Sequence, residues 1–244
     1  MAYIFLDTET TGTDEQDRII QLAFIYVDTK GNKRVVDEYY KPPVPINFEA
    51  MAVHNITEEM VANKPLISDK DSAFIKLGED KVNNDSNILI AHNAPFDIGM
   101  MTRDGFDNKM RVIDTLRCSK HLLKDAKRHK LGVLYYQYGL YRQIDELAVT
   151  FGIDLQGLEA HNAVYDNLML SLLFKLLVQK AGSVEKLIEL TKTPVLIETF
   201  SFGKHKGELV KDVAKSDMGY LNWMLKNMSE LDEDMVYTIE FYKN

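Results

Sequence analysis

At 244 residues, 45% hydrophobic and 27% charged, the chain has apolar mass for one large domain, or a medium domain with a small appendage. Its 29 Lys and Arg against 37 Asp and Glu give a net charge of −8, which excludes gripping nucleic acid by bulk positive charge but not acids gathered around a metal. A single cysteine, Cys118, excludes an internal disulfide and a multi-thiolate zinc site.

No apolar run reaches the ~18 residues that span a bilayer, and Met1 to Asp7 lacks the basic start of a signal peptide. A cytoplasmic protein with no membrane partner is expected. The apolar run 3–6 and the β-branched and aromatic run 19–27 read as strands, with a third over 35–40 after the turn at 29–33. Pro42, Pro43 and Pro45 end this antiparallel opening, and helical pieces follow over 48–53 and after Thr57. A buried strand is expected over 87–91, helix around 98–103, a short strand over 111–114 and helix over about 115–124. Helical spacing returns over 144–151 and 163–178, the latter apolar almost all round, as in a buried helix. Strands first, then alternating helices and strands, predict an α/β layered fold with a mixed sheet. Past Gly182 a helix is expected over 183–191, a strand over 195–202, a turn at 203–207 and helix over most of 209–227.

Three places carry candidate chemistry. Asp7 and Glu9 sit two apart at the end of the first strand, in Asp7-Thr-Glu-Thr-Thr-Gly12, so both carboxylates face one side. Two like charges there are unfavourable without a cation, and oxygen donors so placed suit Mg²⁺ or Mn²⁺. A strand running into a polar turn explains the same residues. Asp97 follows the strand 87–91 at a helix start with Pro95 beside it, where an acid also complements the helix dipole. His161 and Asp166 lie five apart near another helix start, but His92 and Asp97 have the same spacing, so spacing does not choose between the histidines. Taken in order, four carboxylates and an imidazole make the set used for two-metal phosphodiester hydrolysis.

Through these residues the chain resembles the DEDDh (DnaQ-like) 3′→5′ exonucleases. The family's first motif falls on Asp7-Thr-Glu9, the second on His92-Asn93-Ala-Pro-Phe96-Asp97 and the third on His161 to Asp166. Met51-Ala-Val-His-Asn-Ile-Thr57 resembles the stretch between the first two. The chain departs from the family at Thr13, where a Leu usually wedges against the terminal bases. The segments 199–207 and 217–223 resemble the appendage of the exodeoxyribonuclease X branch. The resemblance therefore implies a ribonuclease H-like exonuclease domain over 1–180 and a small α+β C-terminal domain over 195–244.

It further implies two divalent cations, Mg²⁺ or Mn²⁺, held by Asp7, Glu9, Asp97 and Asp166, with Asp7 shared between them and His161 as general base. Thr10, Thr13, Met51, His54, Asn93 and Phe96 would face the terminal nucleotide, and His92 would be structural or on the substrate side. The expected partner is DNA with a 3′ end, single-stranded or duplex. RNA trimming, a polymerase III epsilon-like proofreading subunit and an inactive binding module on the same fold are the alternatives. A polymerase partner is not favoured, because the folded-looking 195–244 segment with Trp223 differs from a binding tail. Residues 119–130 carry a net charge of +4 and read either as a solvated face or as a strand-binding patch. The turn Lys204-His-Lys206 is expected to touch phosphate.

Overall fold

In strand β1 (Ala2–Thr10) successive side chains alternate across the sheet. Ile4 and Leu6 join Leu22, Phe24, Leu89 and Ala91 in one core, while Phe5 joins Ile25, Ile88, Ile90 and Ile113 in the other. The sheet is thus buried on both faces, and its interior strands read as continuous apolar runs. β2 (Ile19–Asp28) and β3 (Lys33–Tyr39) pair antiparallel from β1 outward. On the other side β4 (Ile88–Ala91) and β5 (Arg111–Asp114) pair parallel, giving the order β3-β2-β1-β4-β5. This is the mixed, layered sheet that the element order predicts. The computed structural model describes residues 1–157, 162–229 and 231–243.

The helices of the first part are α1 (Phe48–His54), α2 (Glu58–Val61), α3 (Ala73–Leu77), α4 (Ala94–Arg103), α5 (Thr115–Leu122), α6 (Leu131–Gln137), α7 (Ile144–Phe151), α8 (Ala163–Ala181) and α9 (Val184–Thr191). α8 packs on β1 and β2 and against α5 and α6. Leu168, Leu172, Leu173 and Leu177 are buried along it, the all-round burial its composition foretells. Its start is set by Asn162, whose side chain accepts from the backbone amides of Val164 and Tyr165.

Two compact units divide the chain, Met1–Thr191 and Lys192–Asn244. In the second, α10 (Val210–Ser216), α11 (Met218–Asn227) and α12 (Glu233–Lys243) enclose Phe200, Val210, Val213, Leu221, Met224, Met235 and Ile239. The strand expected over 195–202 does not form: among the described residues it is reduced to one bridge, Thr199 with Leu209. Its backbone finds side chains instead of a neighbouring strand. The Val195 amide donates to Asp234 Oδ1 at 2.8 Å and the Ile197 amide to Thr238 Oγ1 at 2.8 Å. The helix expected across 209–227 breaks at Asp217, whose carboxylate caps α11 by accepting from the Tyr220 amide.

Candidate active site

β1, β4 and β5 run parallel, so their carboxyl ends lie at one edge of the sheet, where open α/β sheets build their sites. Asp7 and Glu9 leave β1 there, on the face that α8 covers, and Asp166 stands in the first turn of α8. Ligand oxygens of Asp7, Glu9 and Asp166 all lie within 4.8 Å of one another. Asp97 stands outside that trio, and its placement follows from where pairing stops. β4 pairs with β1 only as far as Phe5, so the Thr8 amide has no strand partner on that side. Asp97, carried back by α4, supplies one: its Oδ1 accepts from the Thr8 amide at 3.1 Å and the Thr8 hydroxyl at 2.8 Å.

Burial pushes the Asp7 carboxyl well above the usual range, with further upward pressure from Asp97, Asp166 and Glu9. Glu9 is pushed up to about 8 by burial, then by Asp166 and Asp97. Burial raises Asp97 to about 7, against the lowering effect of the Thr8 bonds and with an added push from Asp114. Among the described residues, none of the groups acting on Asp7 or Glu9 is a cation. An all-oxygen set of crowded carboxylates fits a hard divalent cation, which would relieve their repulsion.

The remaining expected residues divide by what they touch. His161 falls outside the described residues. His54 is buried, with the Ile56 amide donating to its Nδ1 at 3.0 Å and its Nε2 3.3 Å from the Thr10 carbonyl. With the Asn47 amide on the Thr11 carbonyl at 2.8 Å, this fastens both ends of α1 to the end of β1. Thr10 is buried, its hydroxyl donating to the Gly12 carbonyl at 2.7 Å. Gly12 has no room for a side chain, since a Cβ would meet the Asp17 carboxylate at 2.5 Å. Thr13 is exposed. Asn93 caps α4 in the left-handed region (φ 79°), its amide donating to Asp114 Oδ1 at 3.0 Å. Phe96 packs against the core under α4. Met51 packs on Ile20, Ile46 and Ile56 and lines a cleft of about 740 Å³ with Asp14, Gln16, Asn47 and Phe48.

Sequence reading passes over four residues here. Thr8 holds Asp97. Asp114, buried, caps α5 by accepting from the Leu116 and Arg117 amides and also raises Asp97. Tyr39 bonds Asn162 and has its phenol pushed up by burial, Asp37 and Glu9. Phe48, 85% exposed, is an aromatic face on the cleft. A Thr between two candidate ligands was a signal for the first; the others depend on strand pairing and loop paths.

One expectation is corrected in the second unit. His205 is buried between Glu208 and Asp217, its ring nitrogens 3.0 and 3.1 Å from their oxygens. Lys204 Nζ pairs with Asp217 at 2.7 Å. His205 thus serves the unit's own structure rather than phosphate, while Lys204 stays exposed on the turn, and their bonds hold the Asp217 carboxyl down to about 2.

Comparison with known proteins gives a consistent answer. The profile of the exonuclease family RNase_T matches residues 4–174, and an exodeoxyribonuclease X-like C-terminal profile matches residues 200–229. The chain is 31% identical to Exodeoxyribonuclease 10 of Escherichia coli strain K12, over 97% of this chain and 96% of that protein. It is 29% identical to the DNA polymerase III subunit epsilon of Rickettsia prowazekii, over 76% and 77%. Among solved structures, an exonuclease X in complex with 5′-overhanging duplex DNA aligns with a TM-score of 0.55 at 27% identity, covering 78% of this chain and 98% of that one.

Proposed function

The chain belongs to the RNase_T exonuclease family, and on that premise we propose a divalent-cation-dependent 3′→5′ exodeoxyribonuclease that acts in the cytoplasm in DNA repair or recombination. The observation that carries this reading is the trio Asp7, Glu9 and Asp166, gathered within 4.8 Å, with no cation among the described groups acting on Asp7 or Glu9. DNA is favoured because the relative that matches this chain almost end to end, 31% identical over 97% of it, is an exodeoxyribonuclease. The exodeoxyribonuclease X-like match at 200–229 favours a stand-alone enzyme over a polymerase subunit. The proposed domains are the catalytic part over 1–180 and the small C-terminal part over 195–244.

The reaction adds water across the last phosphodiester bond. A nucleoside 5′-monophosphate leaves, and the shortened strand keeps a 3′-hydroxyl. Two divalent cations, Mg²⁺ or Mn²⁺, supply charge neutralisation and Lewis acidity at the scissile phosphate when bound. Asp7, Glu9 and Asp166 would hold them together with Asp97, whose Oδ1 is fixed by the Thr8 amide and hydroxyl. The His161 imidazole takes the proton of the attacking water, a task suited to a group titrating near ~6.5. His92 has no such role: its Nδ1 is 3.0 Å from the Thr115 hydroxyl and its Nε2 2.7 Å from the His129 carbonyl. Thr10, Thr13, Met51, His54, Asn93 and Phe96 are the proposed substrate-side positions, with Thr10 and His54 acting through the backbone they brace.

Two variants test the roles. His161→Ala should lose most turnover while calorimetry still detects Mn²⁺ binding, whereas Asp7→Ala should lose both. An inactive His92→Ala beside a normal His161→Ala would refute the assignment of the base.

A further inference from the structure

Between the body of α5 and the start of α6, residues 119–130 bring Lys120, Lys124, Lys127, Arg128 and Lys130 together with one acid, Asp125. That acid is not their counter-ion. Its carboxylate accepts the Tyr138 hydroxyl at 2.7 Å, a bond that holds its pKa below the usual range. Lys124, Lys127, Arg128 and Lys130 are exposed, and among the described residues none of the four pairs with a carboxylate.

A merely solvated run of this composition has no need of a fixed path, yet this one is fastened along its length. The Lys127 amide donates to Gln137 Oε1 at 3.1 Å, and Gln137 Nε2 donates to the Asp125 carbonyl at 3.0 Å. His129 Nδ1 lies 2.9 Å from the Ser119 hydroxyl. The decisive tie is His92, whose Nε2 bonds the His129 carbonyl at 2.7 Å. His92 directly follows β4 and stands five residues before Asp97. The loop is therefore latched to the same edge of the sheet at which Asp7, Glu9 and Asp97 leave their elements. Ordering a run of like charges costs conformational entropy, and no described carboxylate repays it for Lys124, Lys127, Arg128 or Lys130.

We infer that the loop 119–130 is a phosphate track for the nucleic-acid strand upstream of the scissile bond, with Lys124, Lys127, Arg128 and Lys130 on successive backbone phosphates. This rests on the exonuclease reading above. The occupant follows from charge. In a chain of net −8 a polyanion finds favourable approach only where cations are locally unpaired, and backbone contacts of this kind set register without reading sequence.

The test separates the two readings by substrate size. The p-nitrophenyl ester of thymidine 5′-monophosphate needs the carboxylate site alone, whereas a long fluorescent single-stranded oligonucleotide also needs the track. For the double variant Lys127→Ala/Arg128→Ala, fluorescence anisotropy with Ca²⁺ in place of Mg²⁺ should show oligonucleotide binding about tenfold weaker. The slope of log affinity against log salt should become shallower by about 1.4, about 0.7 for each phosphate of a single strand that the variant no longer neutralises. Hydrolysis of the ester should equal that of the wild type. Unchanged affinity and slope would overturn the phosphate track while ester hydrolysis still upheld the exonuclease reading. A wild type that binds the oligonucleotide with the expected slope but hydrolyses neither substrate would overturn the exonuclease reading and leave the track as a binding surface.

Discussion

Thr8 is the residue on which the geometry of Asp97 depends, since both its amide and its hydroxyl reach Asp97 Oδ1. Thr8→Val keeps the shape and the amide bond but removes the hydroxyl donor. A hydrogen bond to a charged group contributes about 1.5–3 kcal/mol, so turnover at limiting Mg²⁺ should fall by roughly tenfold or more, with partial recovery at high Mg²⁺. A Mg²⁺ titration of rate that superimposes on the wild type would show that Asp97 needs no such support. The carboxylates also set a pH dependence. In the metal-free fold Glu9 titrates at about 8 and Asp97 at about 7, whereas unfolded carboxyls titrate near ~4. Across that window the native state holds more protons than the unfolded state, so stability must fall as pH rises. Cations compete with those protons, so the gain in Tm from Mg²⁺ over EDTA should be larger at about pH 8 than at about pH 5. An equal gain at both pH values would contradict the arrangement.

Among the elements, the latch between His92 and the 119–130 loop makes a prediction that needs no substrate. His92→Ala removes the donor to the His129 carbonyl, so amides of 124–130 should exchange with solvent markedly faster while those of β4 keep their protection. Unchanged exchange in the loop would mean that Gln137 and Ser119 hold it unaided. Much of the framework was legible beforehand. The alternation in β1 and the all-round apolar α8 follow from side-chain period alone, and so does the pairing of Asp7 with Glu9 on one face. The support around Asp97 was not, because it depends on β4 ending its pairing at Phe5, a fact of register that no local pattern encodes. The missing strand at 195–202 fails for a related reason. Its alternation is real, but Asp234 and Thr238, some 40 residues on, take the backbone bonds that a strand would have used. Short helices such as α3 and α6 also escaped notice, being too brief for a periodic signal.

For the molecule as a whole, the net charge of −8 takes on a meaning that composition alone did not give it. Asp7, Glu9 and Asp166 converge on one point, with Asp97 and Asp114 close behind, so part of the acidity lies where the proposed cations would bind. One latched loop carries four exposed cations that no described carboxylate pairs, while Lys204 and His205 of the second unit are engaged by Asp217 and Glu208. No described helix is long and apolar enough to cross a membrane. Such a chain should hold DNA through a few local contacts, with weak non-specific affinity at physiological salt. The most direct measurement is digestion of the same DNA labelled at either end, in Mg²⁺ and in EDTA. The account predicts that Mg²⁺ releases the 3′ label at once as a mononucleotide while the 5′-labelled strand shortens stepwise, and that EDTA stops both. Release of the 5′ label first, cleavage within the strand, or full activity in EDTA would contradict it.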